Sequence, residues 1–303
     1  MSSILVSGLF NMETTVKIRG FPISYYPIDY DFFGVASSLS GVGFNLTKAL
    51  TVLGDNAVPV SLTGQDAAGE LFMKELRAMG LRTDLVLPKL RETPASAVLY
   101  DETGRRQIYC DLKDIQETPY EFERSILDGT DAVAACNINF SRPLLELARA
   151  SGKLIATDVH VLSNIDDEYN RSFMEHADIL FLSDEGIPSG KRDFVKTLGA
   201  RYHNRVIVLG MGARGAILHL PAENVLLEMP AFEIGGVKNT AGAGDALFSG
   251  YLHFHLKGLS PEDALLRAQL FAALKIRSGG AAQGFVGEDE LEEMLKRLKS
   301  SRG

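Results

Sequence analysis

The feature that most restricts how this chain can fold is an alternation that begins near residue 131. Short apolar runs at Ala132 to Ala135, Leu154 to Thr157, Ile179 to Leu182 and Val206 to Leu209 are separated by segments with helical spacing, such as Leu144 to Ala150 and Phe194 to Leu198. This is the βαβα pattern of a parallel sheet covered by helices on both faces. Upstream, Ile4-Leu5-Val6 and the run Val58 to Leu62 read as further strands. Ligands in such sheets gather at the carboxyl ends of the strands. Those ends carry Cys136-Asn137, Asp158, Ser183-Asp184-Glu185 and Gly210. The 303 residues suffice for one large α/β domain or two smaller ones.

A second stretch points to chemistry. Asn239-Thr240-Ala241-Gly242-Ala243-Gly244-Asp245 is a turn of small residues that opens into a run with apolar positions Leu247, Phe248, Tyr251, Leu252 and Leu256. That spacing is helical. Free backbone N–H groups at a helix start form an anion site. Gly242, Ala243 and Gly244 carry almost no side chain to block a phosphate. Asp245 would repel one, so its carboxylate is better suited to taking a proton from a hydroxyl that attacks phosphorus. Taken for structure alone, the same stretch is a glycine-rich loop entering a helix whose dipole favours an early acid.

Asn239 to Asp245 resembles the C-terminal signature of the PfkB, or ribokinase-like, family of sugar and nucleoside kinases, usually Asp-Thr-x-Gly-Ala-Gly-Asp. Thr240 and Gly242 to Asp245 match, and Asn239 stands where Asp is usual. The resemblance spans nearly the whole chain. It implies a three-layer α/β/α core with a mostly parallel central sheet, from residues 1–11, 39–92 and 116–303, and a small β-sheet lid from residues 12–38 and 93–115. It also implies ATP and Mg2+ as cofactors, Asp245 as catalytic base, and Gly242, Ala243 and Gly244 as backbone donors to the transferring phosphoryl group.

On the substrate side, Asn11-Met12-Glu13 is similar to the family's Asn-x-Asp, with Glu13 one methylene longer. Ser40-Gly41-Val42-Gly43-Phe44-Asn45 resembles Gly-Gly-x-x-x-Asn before a helix, which assigns Gly41, Val42, Gly43 and Asn45 to the substrate. A dinucleotide motif would need Gly or Ala at Leu46 and a position after the first strand, so that reading fails. Gly41-Val42-Gly43-x-Asn45, Cys136-Asn137-Ile138 and Asn239 are similar to the pseudouridine kinases of the family. The expected acceptor is therefore a pseudouridine-like nucleoside or a pentose, with Asn137 in contact. On the nucleotide side the resemblance implies Asp158, Glu185, Gly210, Gly212, Gly215, Thr240 and Ser278. Ser183-Asp184-Glu185-Gly186 departs from the usual Asn-x-x-Glu. That leaves either Glu185 as the candidate magnesium ligand or a water-bound magnesium held by Asp158 and the phosphates alone, and leaves a catalytically silent nucleotide-binding regulator as the alternative.

Ala95 to Tyr100 and Arg105 to Cys110 alternate around Asp101-Glu102-Thr103-Gly104, a hairpin signal. Phe21 to Tyr30 holds two prolines and three tyrosines, followed by Phe32 and Phe33. Prolines confine it to an edge or loop. Its aromatics either stack on the substrate or form a homodimer contact through the lid. The net charge of −8 argues against a nucleic-acid partner. Cys110 and Cys136 read as free thiols of a reducing compartment. No apolar run approaches the ~20 residues of a membrane span, so the expected location is cytoplasmic. Potassium activation, common in relatives, uses the Asp that Asn239 replaces, so little or none is expected.

Overall fold

In the computed structural model, which describes residues 1–103, 105–187 and 189–300, the first strand Ser3–Ser7 (β1) runs through the interior with Ile4, Leu5 and Val6 fully buried. The chain then leaves that layer for Asn11–Lys17 (β2) and Val35–Ser40 (β3), and helix Val42–Val52 (α1) returns it. Asn56–Gly64 (β4), helix Ala67–Ala78 (α2) and Val86–Leu90 (β5) follow. A second excursion forms Ala95–Tyr100 (β6) and Arg106–Asp111 (β7). The expected alternation then runs Ala132–Ala135 (β8), Arg142–Ala150 (α3), Leu154–Val161 (β9), Arg171–His176 (α4), Ile179–Ser183 (β10), Lys191–Tyr202 (α5) and Val206–Gly210 (β11). Ala216–Leu220 (β12) and Val225–Met229 (β13) pair antiparallel. Helices Ala243–Leu256 (α6), Pro261–Lys275 (α7) and Glu288–Ser300 (α8) close the order.

Among the described residues nine strands form one sheet, ordered β13-β12-β11-β10-β9-β8-β1-β4-β5. It is parallel from β11 to β5, and only the β11–β12 and β12–β13 pairings are antiparallel. Successive residues of a strand face opposite sides. Ile4 and Val6 therefore join the apolar layer under α1, α6, α7 and α8, while Leu5 joins the layer under α3, α4 and α5. Each fully buried Leu, Ile or Phe contributes roughly 1.5–3 kcal/mol. Two continuous apolar layers are what fix the three-layer α/β/α arrangement expected from the sequence. Phe10, Phe44 and Phe72 make a third cluster, in which α2 packs against the start of α1.

Four strands form a second, small sheet in the order β3-β2-β6-β7. It begins at Asn11 and its second strand runs to Ser40, so it reaches slightly beyond the expected segment 12–38. Glu13 sits inside a strand of the small sheet, within the expected lid segment. Gly104, in the expected hairpin, lies outside the described residues. Asp66 caps α2, accepting from the Gly69 N–H at 2.8 Å. It also accepts from the N–H and hydroxyl of Thr93, both at 2.7 Å, which ties α2 to the approach of β6. Among the described residues no helix is long and apolar enough to cross a membrane.

Candidate active site

At the start of α6, Asp245 lies within electrostatic range of Asp158 of the large sheet and Glu13 of the small one. Gly242 is the N-cap of α6, with a left-handed φ of 74°. A Cβ there would lie 2.4 Å from the Ala281 carbonyl, so only glycine fits. Gly244, in the first turn of the helix, opens on free space. The Ala243 N–H donates to the Thr240 carbonyl at 3.1 Å. Among the described residues the N–H groups of Gly242, Gly244 and Asp245 have no acceptor. Of the three residues expected to offer amides to a phosphoryl group, Gly242 and Gly244 keep theirs free, the Ala243 amide closes the turn onto Thr240, and the neighbouring Asp245 amide is free as well.

Asp245 is nine-tenths buried in the first turn of α6. The Asn45 amide donates to its Oδ2 at 2.7 Å, from the first turns of α1. Burial pushes the Asp245 carboxyl above the ordinary aspartate value, and neighbouring Asp158 adds to the rise. The Asn45 hydrogen bond, His160 and Lys275 oppose it. Asp158, inside β9, is itself buried and accepts from the His160 N–H at 2.7 Å. Glu13 is also buried, with its carboxyl raised by desolvation against the pull of Ser40, Lys275 and Arg106. Three oxygens in this corner are buried with no partner: Asn11 Oδ1, Glu13 Oε1 and Asn45 Oδ1. Buried acceptors left open are costly unless a ligand donates to them.

Gly41 and Gly43 have packing reasons for being glycine. Gly41 has a φ of 99° and a Cβ there would meet the Leu9 carbonyl, while one on Gly43 would meet the backbone of Gly8. This close approach of β1 and α1 is what lets Asn45 reach Asp245; Val42 is the first residue of that helix, half-buried. Asn137, past the end of β8, donates to Asn170 Oδ1 at 3.0 Å. Gly210 ends β11 with Leu247 of α6 beside it. Gly212 and Gly215, both at positive φ, form the turn that follows. Thr240 lies in the signature turn, and Ser278 lies in the loop that backs it.

Four contributors have no signal in the sequence pattern. Lys275 is fully buried and donates to the Ala241 carbonyl. Arg106, from β7, reaches across from the small sheet to Glu185 at 3.9 Å. Lys191 and Arg214 both pair with Asp184 beside the Gly212 turn, Lys191 at 2.6 Å. Asp184 is thus neutralised, and Glu185 stays exposed at the cleft. Among the described residues no three His, Cys, Asp or Glu side chains are placed to hold a metal ion. A magnesium ion carried mainly on phosphates and water takes only one or two carboxylates, and Asp158 and Glu185 are the carboxylates expected for it.

A family model described as pfkB family carbohydrate kinase matches residues 2–287. The chain belongs to this family. Among curated relatives, this pfkB kinase is 24% identical over 289 residues to an ATP-dependent ribose-1-phosphate kinase of Halopiger xanaduensis, covering 93% of this chain and 94% of the relative. It is 24% identical over 293 residues to a 2-dehydro-3-deoxygluconokinase of Bacillus subtilis, covering 88% and 89%. Among solved structures, a microbiome-derived acarbose kinase superposes with a TM-score of 0.87 at 21% identity, covering 97% of this chain and 99% of the other. The fold is ribokinase-like, a large mostly parallel sheet with helices plus a second small sheet. The protein is a sugar or nucleoside kinase.

Proposed function

We propose that this pfkB kinase transfers the γ-phosphoryl group of ATP to a hydroxyl of a pseudouridine-like nucleoside or a pentose. The observation that carries the reading is the pairing of a buried Asp245 with free N–H groups on the same helix turn. The unpartnered oxygens of Asn11, Glu13 and Asn45 supply acceptors for several substrate hydroxyls. Asp245 takes the proton of the attacking hydroxyl; a carboxyl raised toward neutral pH is a better base than an ordinary one. The N–H groups of Gly242, Gly244 and Asp245 hold the charge of the transferring group, each such donor contributing about 3 kcal/mol. Magnesium, when bound with the nucleotide, neutralises phosphate charge, with Asp158 and Glu185 as its protein carboxylates. Lys191 and Arg214 add positive charge beside the Gly212 turn.

Residues 12–38 and 93–115 act as the lid, and the Arg106–Glu185 approach is one contact by which it meets the core, beside the Thr93–Asp66 bonds. Closure excludes water and suppresses ATP hydrolysis. Tyr25, Tyr30, Phe32 and Phe33 are more than three-quarters exposed, which supports a homodimer through the small sheet. The two free cysteines suit a cytoplasmic location. A silent regulator has no need of a buried acid beside open phosphate donors.

Arg106 favours a second reading of the acceptor. A lid guanidinium near Glu13 suits a sugar that carries a carboxylate or phosphate, as do the substrates named for the Halopiger and Bacillus relatives. ADP release with MgATP tests both readings across pseudouridine, uridine, adenosine, ribose, fructose, ribose 1-phosphate, a sugar acid and buffer alone. Substrate-dependent release on the nucleosides or ribose supports the first reading. Release confined to the anionic sugars supports the second, and release on none overturns both acceptor readings.

A further inference from the structure

Lys275, the last residue of α7, has no solvent exposure, yet among the described residues it forms no ion pair. Its ammonium donates to the Ala241 carbonyl. An isolated buried charge is costly, so its placement needs a reason. Ala241 C=O and Gly242 N–H belong to one peptide group, which is planar and trans. The carbonyl and the N–H therefore point in opposite directions. A cation gripping the oxygen turns the Gly242 N–H away from α7 and polarises it as a donor.

The surrounding contacts keep this arrangement in register. Lys238 and Asn239 donate their backbone N–H groups to the Ile276 carbonyl, at 2.9 and 3.1 Å. The Asn239 side chain donates to the Gly279 carbonyl at 2.6 Å and accepts from the Ala241 N–H at 2.8 Å. The signature turn is thus fastened to Ile276 and Gly279, the segment that directly follows Lys275 at the end of α7. The ionisable groups that face the ammonium are Asp245 of α6, Glu13 of β2 and Arg106 of β7.

We propose that Lys275 is a positioning residue of the phosphoryl-transfer site: its ammonium is a built-in cation that aims and polarises the Gly242 N–H and holds Asp245 in its basic form. The inference rests on the kinase reading above. Burial lowers the Lys275 pKa to about 8, with Asp245 and Glu13 opposing the drop. A group with a lowered value loses its proton as pH rises through that value. Turnover should then fall on the alkaline side of about pH 8. Because Lys275 also lowers the Asp245 pKa, removing the charge should move the acid limb upward.

The test compares full-length wild type with Lys275→Met and Lys275→Ala, using the acceptor on which the wild type releases ADP. The expected result for Lys275→Met is kcat lower by about 10- to 100-fold, ATP affinity nearly unchanged, loss of the alkaline limb, and an acid limb at higher pH. Added ammonium or methylammonium should restore part of the turnover of Lys275→Ala, and a folding role alone would not produce that. Unchanged kcat in a folded Lys275→Met, or an alkaline limb that persists in it, overturns the inference while the kinase reading stands. So does a Lys275→Ala enzyme that no amine restores. A wild type that phosphorylates nothing overturns both.

Discussion

Asn45 and Asp245, 200 positions apart in the chain, meet through a 2.7 Å hydrogen bond from the Asn45 amide to the Asp245 carboxylate. The contact joins the first turns of α1 and α6 and sets the state of the proposed base. Burial raises the Asp245 carboxyl and Asn45 lowers it. Activity needs the carboxylate, which is lost as pH falls through the folded value. The acid limb of kcat should therefore lie above the ordinary aspartate range. It should move further up in Asn45→Leu, with turnover at neutral pH down about tenfold or more. An acid limb that does not move would contradict this link.

Exchange of sodium for potassium should change turnover little. Asn239 is neutral, and its amide already bridges Gly279 and Ala241. No carboxylate is left at that position to hold a monovalent cation. Initial rates in matched sodium and potassium buffers check this, and a several-fold rise in potassium would contradict it.

If the acceptor is anionic, Arg106→Ala should raise its KM about 10- to 100-fold, the worth of one hydrogen bond to a charged group, with kcat nearly kept. For a neutral nucleoside the same variant should leave KM nearly unchanged. The split between the two acceptor classes is the readout.

Asp66 joins the N-terminus of α2 to Thr93 and should matter for stability more than for turnover. Although burial opposes it, the hydrogen bonds from Thr93 and Gly69 hold its carboxyl below the ordinary value. A depressed folded value stabilises above the unfolded pKa and loses that effect as pH falls through the folded one. Asp66→Ala should cost about 1–2 kcal/mol at neutral pH, measured by urea unfolding. The gap to wild type should close below about pH 4, the ordinary aspartate range. A gap that stays constant into strong acid would count against the assignment.

Much of the fold was legible because the sheet is mostly parallel. Strands buried on both faces, such as Ala132–Ala135 and Ile179–Ser183, must be apolar throughout and therefore stand out. The edge strands Val35–Ser40, Val86–Leu90 and Val225–Met229 are only partly buried, carry polar or charged residues among their apolar ones, and gave no comparable signal. In the site, the turn around Gly242 was readable because its backbone geometry demands glycine. Glu13, Asn45 and Asp245 stand in recognisable motifs, and the structure brings them into one corner. The use of the Ala243 amide was not readable, since hydrogen-bond direction within a turn leaves no mark on residue type. Lys275 and Arg106 escaped notice for another reason. Each is a lone cation in an otherwise ordinary helix or strand, and only the tertiary fold brings it within range of Asp245 and Glu13.

Single-turnover phosphoryl transfer, with wild type and Asp245→Asn compared at saturating MgATP and acceptor, tests the central claim most directly. The predicted result is a rate lower by about 10²–10⁴ in the variant, with nucleotide affinity unchanged. A rate close to that of wild type would remove Asp245 from its role as base, and the proposed mechanism with it.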